Sequence, residues 1–300
     1  MTHVVLAATS PDAWRGQSHV EVWVLVGSVL ARWLYAMRVV GPKVVPPGRP
    51  VATRRQWAFY WVGLVTLWLS SDWPMHDISE EYLYSVHMVQ HLLLTMIVPP
   101  LFWLATPTWL VRLVFPQGGA GYRWVRRLAH PVVAGLLFNL VVAVTHAPAV
   151  VNASVESGPL HYAVHVAVVT SAFIMWLPVC GPFPEFRISL PGQMVYLFLM
   201  SVLPTIPAAW LTFAEGTVYT AYDTTFRLWG VSVRSDQQAA GLIMKLVGGF
   251  YLWGIIFVLF IRWVSRHAQA DEAGVTVSER DVLTWDHVQD EFDRTDAPVE

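Results

Sequence analysis

The sequence has few charged residues. Asp, Glu, Lys and Arg make up 13% of its 300 residues, whereas soluble domains carry about a quarter. The hydrophobic content is 55% and the mean hydropathy is positive, at +0.47. Sixteen Trp and ten Tyr suit a protein that anchors aromatic rings at two membrane interfaces. This composition predicts a polytopic membrane protein, and nothing in it indicates a nucleic-acid partner.

Cysteine is almost absent. Cys180 is the single cysteine of the chain, which excludes a disulfide framework and a cysteine-rich metal site. The first ten residues, MTHVVLAATS, lack the basic start and the long apolar stretch of a secretory signal, so none is expected there.

Seven apolar stretches come close to the roughly 20 helical residues that a bilayer requires. Pro99 and Pro100 lie inside the third stretch and are expected to kink it. No tandem repeat and no second domain is visible. The predicted fold is an all-α membrane bundle of about seven transmembrane helices. They cover residues 20–40, 56–71, 83–105, 131–149, 160–180, 190–213 and 239–264.

The loop charges predict an orientation, because basic residues collect on the cytoplasmic side. Basic residues follow the first, third and seventh stretches: Lys43, Arg49, Arg54, Arg55, Arg112, Arg123, Arg126, Arg127, Arg262 and Arg266. Acidic residues follow the second and fourth: Asp72, Asp77, Glu80, Glu81 and Glu156. We therefore expect the N-terminus outside and the C-terminus in the cytoplasm of a bacterial plasma membrane.

The end of the chain is acidic. Residues 268–300 hold ten acidic residues and two arginines, in a mostly polar sequence. A segment with so little apolar surface is expected to remain disordered. The predicted organisation is a transmembrane domain of residues 1–267, followed by a cytoplasmic tail of residues 268–300.

Histidines concentrate near the predicted outer ends of three helices. HMVQH places His87 and His91 at the start of the third stretch, and LHYAVH places His161 and His165 at the start of the fifth. His146, in VTHAP, lies near the end of the fourth. At about 1.5 Å of rise per residue, these helices should bring their histidines to similar depths.

The spacing of these histidines predicts a metal site. Residues four apart share one face of a helix, so each H-x-x-x-H motif aims two imidazoles in one direction. An ionisable residue within a membrane span is a functional candidate by default. A single histidine can instead tie two helices together by a hydrogen bond, but that does not account well for five. The predicted ligands are His87, His91, His146, His161 and His165.

Five further residues are candidates for an accessory role. Asp72, His76 and Asp236 could orient a ligating histidine, although Asp236 could equally cap its own helix. Met88 and Met244 could add soft sulfur ligands, although methionine in an apolar helix more often serves packing. The remaining histidines are expected to be ordinary terminal or interfacial residues: His3, His19, His130, His267 and His287.

The ligand types leave the metal open. Imidazole suits zinc, copper and iron. Copper fits a histidine-rich site with optional methionine and no thiolate, and zinc with a bound water would fit a hydrolase. Haem would need one histidine from each of two helices, because two histidines four apart point the same way.

Four stretches resemble the polytopic bacterial cytochrome c oxidase assembly factors called CtaG, over roughly residues 55–265. They are DWPMHDISEEYLYSVHMVQHLLLTMIVPPLFWLATP, VTHAP, LHYAVHVAVVTSAFIMWLPV and DQQAAGLIMKLVGGFYLWG. The resemblance implies a seven-helix, non-enzymatic protein that helps to build haem–copper oxidase. It also implies a link to copper, with oxidase subunits or other assembly factors and membrane lipid as partners. It carries over the five histidines, with Asp72 and Asp236 as companions. Lys245 departs from the apolar residue typical of the family and needs a partner.

Two other functions stay open. An intramembrane zinc-dependent hydrolase of the ceramidase-like type could use Ser71 and Asp72 to orient water. Five histidines exceed what one hydrolytic zinc requires, however, and no general base is apparent within the spans. A haem or quinone redox protein is the other alternative.

Overall fold

The computed structural model describes residues 19–224 and 227–272, where the regular structure is helical. We number the helices of these ranges α1 to α12. They are α1 Val20–Val44, α2 Arg54–Ser71, α3 Met75–Glu81, α4 Tyr84–Ala105, α5 Thr108–Val114, α6 Ala120–Leu128, α7 Pro131–Thr145, α8 Pro148–Glu156, α9 Gly158–Cys180, α10 Leu190–Val202, α11 Thr205–Phe213, and α12, which begins at Val233 and ends at Glu272. Short 3₁₀ turns cover Pro184–Phe186, Thr220–Tyr222 and Leu228–Gly230. The all-α prediction is confirmed for the described residues.

Helices occupy all seven predicted stretches, but not all are long and apolar enough to cross a membrane alone. Five helical segments of the described residues meet that requirement: Val20–Val44, Tyr84–Ala105, Gly158–Cys180, Leu190–Phe213 and Val233–Gln269. A sixth arises if α6 and α7, which meet at 71°, form one span. The helix α2 falls short because it starts with two arginines and a glutamine. The count of seven and the orientation stay predictions.

The last helix runs beyond the predicted domain boundary at residue 267. It continues to Glu272, so the first residues of the predicted tail are helical. The remainder of that tail, residues 273–300, lies outside the described residues, as do His3 and His287.

The disturbance expected at Pro99 and Pro100 takes the form of a π-helical segment, Leu93–Ile97. The carbonyl of Thr95 would accept from residue 99 in an α-helix or from residue 100 in a π-helix, and neither proline has an N–H. The indole Nε1 of Trp176, on α9, donates to this carbonyl at 2.9 Å instead. The irregular backbone of α4 is thus satisfied by a neighbouring helix, as a membrane interior requires.

The packing brings the three helices with candidate ligands together. Helix α9 packs against both α7 and α4, while the first half of α4 packs against the first half of α12. A buried cluster joins these helices to α10 and includes Met96, Phe138, Trp176 and Leu252. The positions of α4, α7 and α9 therefore place their histidines around one interior region.

Gly241 permits the close approach of α12 and α11. A Cβ at this position would lie 2.4 Å from Thr212 Oγ1 and 2.7 Å from the carbonyl oxygen of Ala208. The backbone cannot yield easily, so we expect Gly241→Ala to lower the free energy of unfolding by about 1–3 kcal/mol. Thermal unfolding in detergent would measure this.

Gly254→Ala is the matched control, because a Cβ there meets nothing within 4 Å. It should leave stability unchanged or raise it slightly, since alanine favours helix over glycine. Equal stability of the two variants would show that the helix contact at Gly241 tolerates a methyl group.

Candidate metal centre

Each H-x-x-x-H motif places two imidazoles side by side. The ring centroids of His87 and His91, on α4, are 4.3 Å apart. Those of His161 and His165, on α9, are 4.4 Å apart. Both pairs follow the i, i+4 geometry of a helix face, and each faces the other helix.

The two pairs and His146 form one cluster. The His91 and His165 rings are 4.8 Å apart, and the His87 and His165 rings 5.5 Å. His161 extends the cluster at one end, 5.9 Å from the His87 ring, and His146 at the other, 6.1 Å from the His91 ring. The structure therefore brings together all five histidines that the sequence marked as candidate ligands.

Three of these histidines present nitrogens in the arrangement that a metal requires. Ligand atoms of His87, His91 and His165 all lie within 4.8 Å of one another. His87 Nδ1, His91 Nε2 and His165 Nε2 are buried and have no hydrogen-bond partner. Buried polar atoms are normally paired, and the free nitrogen of a neutral imidazole is a metal ligand. The donor set therefore fits a metal ion.

His146 is held in one tautomer. Its Nδ1 donates to the carbonyl of Val142 at 2.8 Å, which leaves Nε2 without a proton and able to accept or to bind a metal. His91 and His146 both line a cavity of about 60 Å³. The cavity is also lined by the methionines Met88, Met96, Met200 and Met244.

A carboxylate adjoins the cluster at its His161 end. Glu80 Oε1 lies 2.7 Å from His161 Nε2 and 3.4 Å from His76 Nε2. Burial alone would raise the pKa of Glu80, but its contact with His161 and its electrostatic interactions with the imidazoles of His76 and His165 outweigh burial, so this pKa lies below its ordinary value. The sequence had marked Glu80 only as a loop charge, although its i, i+4 spacing from His76 was a usable signal.

A further histidine, His19, joins this end of the cluster. Its ring is 4.7 Å from that of His76, and its Nε2 donates to Asp77 Oδ1 at 2.5 Å. Burial lowers the pKa of His19, but the hydrogen bond and charge of Asp77, with those of Glu21, raise it above its ordinary value. The expectation of an ordinary terminal residue missed this contact, because only the packing of α1 near α3 creates it.

Comparison with known proteins shows the family of this chain. The family model described as cytochrome c oxidase caa3 assembly factor (Caa3_CtaG) matches residues 33–266. The chain belongs to this family. The matched region contains the five clustered histidines and Glu80, whereas His19 precedes it.

Two curated relatives are similar over part of their length. They are titled "Uncharacterized protein Mb0105", from Mycobacterium bovis, and "Uncharacterized protein MT0111", from Mycobacterium tuberculosis. Each is 26% identical to this chain over 218 residues, which is 64% of the chain. The alignment spans about a third of each relative, 33% of its length. No solved structure matches this chain.

The two aspartates predicted as companions of the ligands bind other groups in this family member. Asp72 accepts from Trp68 Nε1 at 2.8 Å and from the backbone N–H of Trp73 at 2.9 Å. Asp236 accepts from the backbone N–H groups of Tyr84 and Ser85 at 2.8 and 3.0 Å. Their contacts among the described residues thus fix helix ends rather than orient a histidine.

Lys245, which is partly buried, has hydrogen-bond partners for its charged group. Its Nζ donates to Thr205 Oγ1 at 2.6 Å and to the carbonyl of Ser201 at 3.3 Å. Both partners are near the junction of α10 and α11, and Lys245 also lines the methionine cavity. The ammonium group of Lys245 is therefore satisfied by local hydrogen bonds.

Proposed function

We propose that this family member holds copper in its histidine centre, without catalysing a reaction, and delivers it to copper-containing subunits of haem–copper cytochrome c oxidase during assembly. The observation that carries the proposal is the group of His87, His91 and His165, whose ligand atoms lie within 4.8 Å of one another. The three unpaired ring nitrogens support it because a metal ion would satisfy all of them.

The donor types favour copper. Imidazole binds copper more tightly than zinc, and methionine sulfur in the adjoining cavity suits copper(I). Thiolate is not available, since Cys180 is at the opposite end of α9 from His161. Three nitrogen ligands leave a coordination position for a ligand of a receiving protein, and an open position favours transfer over permanent storage.

The predicted topology places this centre at the outer face of a bacterial plasma membrane. The acidic residues of the segment between α2 and α4, which includes α3, and the basic residues after α1 support this orientation. Oxidase subunits or other assembly factors would then receive the ion from outside the membrane. Lipid covers the apolar outer surfaces of the bundle.

One contact favours a second candidate, an intramembrane zinc-dependent hydrolase. A zinc hydrolase needs a carboxylate that can act as general base near the metal. Glu80, at 2.7 Å from His161, is such a group. In this alternative the same histidines would hold zinc and a bound water.

Metal analysis of the purified protein, in detergent and under reducing conditions, tests the proposal. We expect about one copper per chain, and little copper in the His87→Ala/His91→Ala double variant. Cells producing that variant should make the oxidase polypeptides, but the oxidase should contain less copper. Normal oxidase copper would contradict delivery. Zinc together with lipid-amide cleavage would favour the hydrolase, and a Soret band would indicate haem.

A further inference from the structure

We propose that Glu80 and His161 form a receiving site at the entrance of the histidine centre, where the ion binds first before passing to His87, His91 and His165. This inference rests on the proposed function. The Glu80 carboxylate would supply an oxygen ligand and His161 Nε2 a nitrogen ligand, and Glu80 Oε1 lies 2.7 Å from that nitrogen.

Glu80 is much more exposed than the histidines beside it. The Glu80 side chain is 35% exposed and the His161 side chain 10%, and as whole residues His161 and His87 are both 8% exposed. Glu80 is thus the one of these residues that an ion arriving from solvent meets first. From His161, the ring of His165 is 4.4 Å away and that of His87 is 5.9 Å away, so the ion can change ligands over short steps.

His76 positions Glu80 and is not itself a ligand through Nε2. The Gln90 amide nitrogen, which can only donate, lies 3.3 Å from His76 Nδ1. Two hydrogen bonds fix the orientation of the Gln90 side-chain amide. Its nitrogen donates to the carbonyl oxygen of Ser70 at 2.8 Å, and its Oε1 accepts from the Ser79 hydroxyl at 2.9 Å. His76 Nδ1 must therefore accept, and Nε2 carries the proton that faces Glu80. The contacts described for the Glu80 carboxylate use Oε1, so its other oxygen is available to a cation.

The ligands of the receiving site, Glu80 and His161, differ in chemistry from the inner centre, which is the group of His87, His91 and His165. A carboxylate with one imidazole suits a divalent ion such as copper(II) or zinc(II). Two ligands bind weakly, so they exchange the ion readily. The negative charge also attracts a cation and offsets part of the cost of removing its water before it enters a cluster of neutral imidazoles. Glu80 should therefore control how fast the metal loads more than how tightly it is finally held.

The Glu80→Gln variant separates the rate of metal loading from the final affinity for the metal. Metal-free full-length protein in detergent is mixed with copper(II), and quenching of tryptophan fluorescence gives the loading rate. Competition with a chelator gives the equilibrium affinity. We expect the rate to fall at least about 10-fold at low ionic strength, within the range that electrostatic steering provides, while the affinity falls by less than the about 10–100-fold that loss of a ligand-orienting residue costs. The salt dependence of the rate should also weaken.

Two further variants make the result specific. Glu156→Gln removes another acidic side chain of the predicted outer side, from the end of α8, and should load at the native rate. Glu80→Asp keeps the charge on a shorter side chain and should recover a large part of the lost rate. Recovery by aspartate would also show that the glutamine variant did not fail through misfolding.

Three outcomes would overturn this inference. A native loading rate in Glu80→Gln would mean that the carboxylate does not receive the ion. A loss of equilibrium affinity as large as that in a variant of an inner histidine would make Glu80 a permanent ligand of a single site. Equal slowing in Glu156→Gln would make the effect one of general surface charge. Absence of copper binding by the native protein would instead contradict the proposed function. Chelator competition on the native protein distinguishes this result from a failure of the receiving site alone.

Discussion

His165→Ala should nearly abolish copper binding and lower the affinity by more than about 100-fold. Loss of a residue that only orients a ligand already costs about 10–100-fold in affinity, so loss of a ligand should cost more. His165 is the one member of the three-histidine group on α9, and the other two are on α4. Its removal leaves two ligands on one helix, which hold a metal weakly. Chelator competition on the purified protein measures the affinity.

A graded set of histidine variants tests whether the centre has three principal ligands. His146→Ala should have a smaller effect, because its ring is 6.1 Å from that of His91 and it is not in the compact group. His130→Ala, at the start of α7, is the matched control and should bind copper like the native protein. Equal losses in the His146 and His165 variants would indicate a ligand set centred elsewhere in the cluster, and an unchanged affinity in His165→Ala would contradict the centre.

Asp236→Ala should lower the free energy of unfolding by about 3 kcal/mol or more. The Asp236 side chain is 1% exposed, and its two oxygens accept from the first backbone N–H groups of α4, those of Tyr84 and Ser85. Leu83, the residue that precedes α4, provides no side-chain cap. Each hydrogen bond to a charged group contributes about 1.5–3 kcal/mol, and both buried donors would be left unpaired. The carboxylate also interacts favourably with the helix dipole.

Denaturant or thermal unfolding in detergent would measure this loss. Asp236→Asn keeps one acceptor oxygen and should lose less stability than the alanine variant. Asp223→Ala, at an exposed position, should remain close to native stability. Because α4 carries His87 and His91, the alanine variant should also bind copper less well when it is folded. Native stability in Asp236→Ala would show that water or another group can cap α4.

The sequence by itself predicted the class of the protein and the histidines of the candidate centre. The shortage of charge and the long apolar stretches indicated membrane helices. The two H-x-x-x-H motifs fixed which imidazoles share a face, because the helical repeat makes residues four apart neighbours. The prolines Pro99 and Pro100 likewise predicted a disturbance of α4, and the structure places a π-helical segment just before them, at Leu93–Ile97. These are properties of one helix at a time, so local spacing is sufficient to predict them.

Only the tertiary structure decided which groups from different helices meet. Glu80 looked like a loop charge, yet the packing of α3 beside α9 places it against His161. The sequence assigned no role to Gln90, the fourth residue of HMVQH. In the structure it lies on α4 and fixes the tautomer of His76 on α3. Asp236 could have capped its own helix, but Ser232 does that, and Asp236 caps a helix more than 150 residues earlier in the chain. Contacts at such separations depend on how whole helices pack, and no spacing within one helix encodes them.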